Sequence, residues 1–185
     1  VDDLARVEEL GVDPKPLVEQ VVRAWFMTAV RSGTFHGDVH AGNLMLLRDG
    51  RIGIIDWGVV GRLDPDTHAL FRRLIAAVIG DESAWVEVTS HMLQQFGGVL
   101  LRRTGMTEAD AAALIRAQLE MVLTQPFGRL NLGELLMLPQ REGGRLLAAA
   151  ARDGDEPVEL PEVNRGLFLL GKQIMYLERY GRMYL

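Results

Sequence analysis

The sequence predicts an α+β fold, mostly α, with one small β-hairpin in its first third. Three observations carry that prediction. Apolar residues recur at helical spacing over residues 13–32 and again from residue 65 onward. Two short apolar runs flank an Asp49-Gly50 turn. Between the first helix and those runs, Phe35 to Asn43 packs two histidines, an aspartate, an asparagine and two glycines into a stretch that fits neither period.

The first helix opens on Asp13-Pro14, a cap followed by a first-turn proline, and carries Leu17, Val21, Val22, Trp25, Phe26 and Val30 on a buried face. It stops at Ser32-Gly33. Residues 35–43 then read as a structured loop, and residues 44–58 as a hairpin: Leu44 to Leu47, a turn at Arg48-Asp49-Gly50, and the β-branched run Ile52 to Ile55, with Asp56 at its exit.

From residue 65 to 185 the pattern is that of a helical subdomain. Its helices start at nameable caps: Asp64-Pro65 before 66–79, Asp81 before 82–96, Thr107 with Asp110 before 108–124, and Pro161 before 162–180. Turns are expected at Gly97-Gly98 and Pro126 to Asn131, and a solvated acidic loop at Asp153 to Glu159. No repeat or linker divides the chain, so residues 1–185 read as one domain.

Composition narrows the function classes. The 185 residues are 48% hydrophobic and 24% charged, close to the globular average. A formal charge of −5 is opposite to the basic surface that a phosphate backbone requires, so nucleic acid is not an expected partner. The absence of cysteine excludes a disulfide scaffold, a thiol nucleophile and a thiolate zinc site. Apolar runs such as Leu74 to Gly80 fall far short of the roughly 20 residues of a spanning helix.

The chemistry is concentrated in His36-Gly37-Asp38-Val39-His40-Ala41-Gly42-Asn43, with Asp56-Trp57-Gly58 thirteen residues beyond the asparagine. Phosphoryl-transfer sites of the kinase type pair a loop aspartate with an asparagine five residues on; a second aspartate after the next hairpin joins the asparagine in holding magnesium. Asp38, Asn43 and Asp56 keep that spacing, and a hairpin over 44–55 would fold Asp56 back beside Asn43. Magnesium takes few protein oxygens, the rest coming from phosphate and water. Gly42 allows close backbone approach to phosphates, and Gly58 allows a turn at the metal aspartate. His36 is expected to brace the loop by a hydrogen bond across its base, and Met45 and Ile55 to face the nucleotide.

Blander readings stand beside these. An isolated Asp-Gly turn or Asp-Trp-Gly tripeptide is mostly structural, and His36-x-Asp38-x-His40 could be a transition-metal cluster if it were a strand. His68 and His91 fit surface or satisfied core positions in helices, and Trp25 and Trp85 core positions. The joint register of loop, hairpin and Asp56-Trp57-Gly58 is what favours a site.

Phe35 to Asn43, the run through Asp56-Trp57-Gly58 to Gly61-Arg62-Leu63, and the late Leu170-Gly171-Lys172-Gln173 to Tyr176, Glu178, Arg179 and Tyr180 resemble the UbiB/AarF family of atypical kinases across essentially the whole chain. The resemblance implies a protein-kinase-like C-terminal lobe, ATP and Mg2+ as cofactors, and kinase or ATPase activity supporting isoprenoid-quinone or membrane-lipid metabolism. It implies Asp38 as the catalytic aspartate and Asn43 and Asp56 as the metal ligands. It also implies a cytoplasmic location with peripheral membrane or lipid contact.

The loop departs from the family at Gly37, where alanine is usual, at Val39 and Ala41, where proline is usual, and at Trp57 in place of phenylalanine. Those departures resemble aminoglycoside and choline phosphotransferases, which keeps a small-molecule phosphotransferase as an alternative. A non-catalytic nucleotide-binding or regulatory module is another. No glycine-rich loop precedes a lysine-bearing strand, and the family's Lys-x-Gly-Gln signature is absent. The only lysines, Lys15 and Lys172, lie outside any predicted strand. Val1 to Val12 resembles the segment after the hinge between lobes, so the N-lobe is expected to be absent and to act as a partner. The chain alone is expected to be inactive.

Overall fold

The computed structural model describes residues 11–94, 101, 105–129 and 165–185. Among them, helices run over Pro14–Ser32 (α1), Pro65–Val78 (α2), Glu82–Met92 (α3), Glu108–Leu123 (α4) and Arg165–Tyr184 (α5). Four three-residue strands cover Thr34–His36 (β1), Leu44–Leu46 (β2), Ile52–Ile54 (β3) and Val60–Arg62 (β4), with 3-10 turns at Ala41–Asn43 and Phe127–Arg129. The predicted turn at Gly97-Gly98, the acidic loop 153–159, the cap at Pro161 and residues 1–10 lie outside the described residues.

Helix starts follow the local chemistry. Asp13 caps α1 by accepting from the Lys15 N–H, and Asp64 accepts from both the N–H and the hydroxyl of Thr67. Asp81 caps α3 and Thr107 caps α4, the latter hydroxyl also donating to Asp110 at 2.7 Å. Helix α1 ends on Gly33 at φ 64°, a left-handed position where a side chain would also press on the His68 ring 3.1 Å away. His68 is a satisfied structural histidine, its Nε2 lying 2.8 Å from the Val30 carbonyl.

The chain forms two compact units. One holds residues 11–68, 126–129 and 165–185, so the last helix groups with the motif-bearing segment. Its core is built on Trp25, Phe35, Val39, Leu170 and Leu177, all nearly inaccessible to water. The Trp25 ring meets Phe35 edge-on at 5.2 Å, while its indole N–H donates to the His36 carbonyl at 2.8 Å, so α1 supports β1 through both packing and a hydrogen bond. The other unit contains α3, α4 and most of α2, closed around Ala77, Ala84, Trp85, Val88 and Leu119. There Arg116 bridges Glu82 and Glu120 at 2.7 Å each and lies over the Trp85 ring.

The mostly helical α+β expectation holds, with one correction. Besides the β2–β3 hairpin there is a second antiparallel pair, β1–β4, in what read from sequence as loop and helix lead-in. Three-residue strands give too few alternations to show a period, and their partners lie more than twenty positions apart.

Candidate functional site

The two ladders fix the geometry. Along β1–β4, His36 pairs with Val60, and the Gly37 N–H extends the ladder to the Val59 carbonyl at 2.9 Å. Along β2–β3, Leu44 pairs with Ile54, and the Ile55 N–H reaches the Asn43 carbonyl at 2.9 Å. Segment 37–43 is therefore tied at both ends to segment 55–59. Asp38 follows the last residue of one ladder, Asn43 ends the other, and Asp56 comes directly after Asn43's partner.

Side chains tighten this frame. The Asp38 N–H donates to His36 Nδ1 at 3.1 Å, which leaves Nδ1 unprotonated and puts the ring proton on Nε2, 3.0 Å from the Ile55 carbonyl. His36 thus links the start of the loop to the residue before Asp56, and its ring lies 4.7 Å from that of Trp57. Asn43 is buried; its Nδ2 donates to the Asp38 carbonyl at 3.0 Å, which turns Oδ1 the other way. Asp56 is the single described non-glycine residue at positive φ, 58°, with Oδ1 3.4 Å from the Gly58 N–H. Gly37 has a steric reason: a Cβ there would lie 2.9 Å from Val59 Cγ1, so the alanine usual in the family would be crowded.

Helix α5 grips the loop from another side. Gln173 is buried and holds the Val39 backbone on both sides of its Cα, Oε1 accepting from its N–H at 3.0 Å and Nε2 donating to its carbonyl at 2.8 Å. The Tyr180 hydroxyl accepts from the Ala41 N–H at 3.0 Å. Lys172 donates to Asp38 Oδ1 at 2.8 Å, and His40 Nε2 lies 3.8 Å from Oδ2. The hydrogen bond from Lys172 holds the Asp38 carboxyl below the usual carboxylate range; the lysine charge adds to it and slight burial opposes it. The result is an ionised, oriented Asp38 carboxylate on a loop whose backbone is hydrogen-bonded to the segment that carries Asp56.

Met45 and Ile55 stand exposed on the hairpin, at 49% and 43%. Leu44, Leu46 and Ile52 instead line a largely apolar cavity of about 240 Å³ with Val18, Tyr180 and Met183. A histidine-based metal cluster has no support: among the described residues no three His, Cys, Asp or Glu converge, and both His36 nitrogens are engaged.

Sequence reasoning singled out Asp38, Asn43, Asp56 and His36, whose backbone segments the ladders join, but quoted Lys172, Gln173 and Tyr180 only for the resemblance and gave them no part in the site. One signal was present. Gln173 and Tyr180 are seven apart, two helical turns, which puts two polar groups on the same face as core leucines.

Residues 1–89 match the sequence model of the ABC1 atypical kinase-like domain. An uncharacterized protein of Mycobacterium tuberculosis is 34% identical over 185 residues, 99% of this chain and 34% of its own length. A probable protein kinase UbiB of Cronobacter sakazakii is 31% identical over 98% of this chain and 31% of its own. A chloroplastic aarF domain-containing protein kinase of Arabidopsis thaliana is 29% identical over 98% of this chain and 34% of its own. The chain spans about a third of the length of these curated relatives. No solved structure matches it. Among the described residues, no helix is long and apolar enough to cross a membrane.

Proposed function

Since the chain belongs to the ABC1, or UbiB/AarF, family of atypical kinase-like proteins, we propose that it is the C-terminal lobe of an ATP- and Mg2+-dependent phosphotransferase or ATPase supporting isoprenoid-quinone or membrane-lipid metabolism. The observation behind this is the pair of ladders that gathers Asp38, Asn43 and Asp56 around segment 55–59. In this reading Asn43 Oδ1 and the Asp56 carboxylate hold the magnesium, whose chemistry is to neutralise phosphate charge. Asp38 orients the attacking hydroxyl or water, and its lowered pKa keeps it ready to accept a hydrogen bond at neutral pH. Positioning and charge neutralisation carry the catalysis, with little covalent work for the protein.

Turnover is assigned to the whole protein, because these 185 residues contain no glycine-rich loop followed by a lysine-bearing strand. The N-lobe is the proposed partner, with peripheral lipid contact, and the chain by itself is expected to be nearly inactive. The experiment is magnesium-dependent ATP turnover by the whole protein. Asp56→Asn should lower it by about three orders of magnitude, as loss of a transition-state electrostatic group does. Unchanged turnover in that variant would remove Asp56 from the site.

A small-molecule phosphotransferase remains the second reading, favoured by Gly37 and Trp57. Labelled phosphate appearing on an aminoglycoside or amino alcohol would select it.

A further inference from the structure

Lys172 has so far been described only as the partner of the Asp38 carboxyl. Its ammonium lies 2.8 Å from Asp38 Oδ1, opposite the oxygen that His40 approaches. The residue after it, Gln173, is locked to both the N–H and the carbonyl of Val39, so the α5 backbone at this point is fixed relative to the loop. The Lys172 side chain is nevertheless 42% exposed and that of Asp38 40%. A pair this open to water adds little to stability, and Gln173 and Tyr180 already anchor α5 to the loop. Fastening the helix therefore does not account for the lysine's position.

A cation does have a use there. The loop aspartate of a phosphoryl-transfer site faces the attacking oxygen, which reacts from about 3–3.5 Å from phosphorus, so the terminal phosphate must come close to Asp38. An ammonium carries three N–H donors, of which Asp38 takes one. Its four-carbon stem lets it shift toward a phosphoryl oxygen without moving the helix.

Resting on the reading of Asp38 as that loop aspartate, we propose that Lys172 is a catalytic lysine that binds the terminal phosphate of a nucleoside triphosphate. In the step it serves, the acceptor oxygen forms a bond to the γ-phosphorus. The bond from that phosphorus to the β–γ bridging oxygen breaks, and the nucleoside diphosphate leaves with the electron pair. The acceptor's proton passes to Asp38 and then to solvent. Lys172 keeps its own proton throughout and offsets the negative charge on the moving phosphoryl group. The role would fall to a helix far along the chain and not to the strand lysine sought in the sequence.

The test compares Mg·ATP with Mg·ADP binding by calorimetry in the whole protein, for wild type, Lys172→Ala, Lys172→Gln and Lys172→Arg, with Lys15→Ala as a control at the exposed start of α1. Loss of Lys172 should weaken ATP about tenfold more than ADP, the scale of one charge-assisted hydrogen bond. Arginine should keep most of the ATP preference, and Lys15→Ala all of it. Melting curves matching wild type for Ala or Gln identify the folded variant to be read. If ATP and ADP weaken equally, or neither weakens, while wild type binds both, the Lys172 proposal is overturned and the reading of Asp38 survives. If wild type shows no magnesium-dependent nucleotide binding, both fall.

Discussion

Gln173 and Val39 form a closed pair: one side-chain amide satisfies both the N–H and the carbonyl of one buried residue, at 3.0 and 2.8 Å. Removing the amide strands two backbone groups at once. Gln173→Ala should destabilise the fold by about 2–4 kcal/mol, the cost of two buried groups left unpaired, as measured by urea denaturation. Gln173→Glu should be no milder, since a carboxylate cannot donate to the Val39 carbonyl. A loss under about 0.5 kcal/mol would mean that water replaces the amide.

Gly61 faces Phe35 with no room between them; a Cβ at Gly61 would stand 2.2 Å from Phe35 Cζ. Gly61→Ala should cost roughly 2 kcal/mol or more by overpacking. Adding Phe35→Leu should return part of that loss, giving a coupling of about 1 kcal/mol in a double-mutant cycle followed by thermal melting. Additive effects would show that the strand moves away from the ring.

Asp56 holds a left-handed conformation that aspartate, asparagine and glycine tolerate better than alanine. Asp56→Asn and Asp56→Gly should melt at or above the wild-type temperature, while Asp56→Ala should lose about 1 kcal/mol. Equal melting of the alanine and glycine variants would indicate that the ladders do not enforce this φ.

Asp81 supplies a pH-dependent prediction. The Ser83 hydroxyl, followed by the Ala84 and Ser83 N–H groups, lowers its carboxyl pKa in the folded chain. A depressed folded pKa means that the cap's contribution is fully present above the unfolded value of about 4 and fades as pH falls through the folded value. Melting temperatures of wild type and Asp81→Ala should therefore differ by a constant amount near neutral pH and converge in acid. Asp81→Asn should show no such convergence.

Loop, hairpin and Asp56 were legible because they depend on contacts within some twenty residues, which spacing and turn chemistry encode locally. Helix starts were legible for the same reason: Asp13, Asp64, Asp81 and Thr107 cap backbone groups two or three residues away. The grip of α5 was not. Lys172 and Asp38 are 134 positions apart, and no local period joins a polar run in a late helix to a loop in the first quarter of the chain. The lysines were judged against a strand, whereas the cation beside Asp38 comes from a helix. The β1–β4 pair escaped because each strand offers a single full alternation of faces.

Because the backbone from His36 to Val60 is cinched at two points, the conformational entropy of arranging its oxygen donors is surrendered when the protein folds. A ligand at the proposed site would then meet backbone that these ladders already order. Little of its intrinsic affinity would be spent on ordering the host, which favours tighter capture.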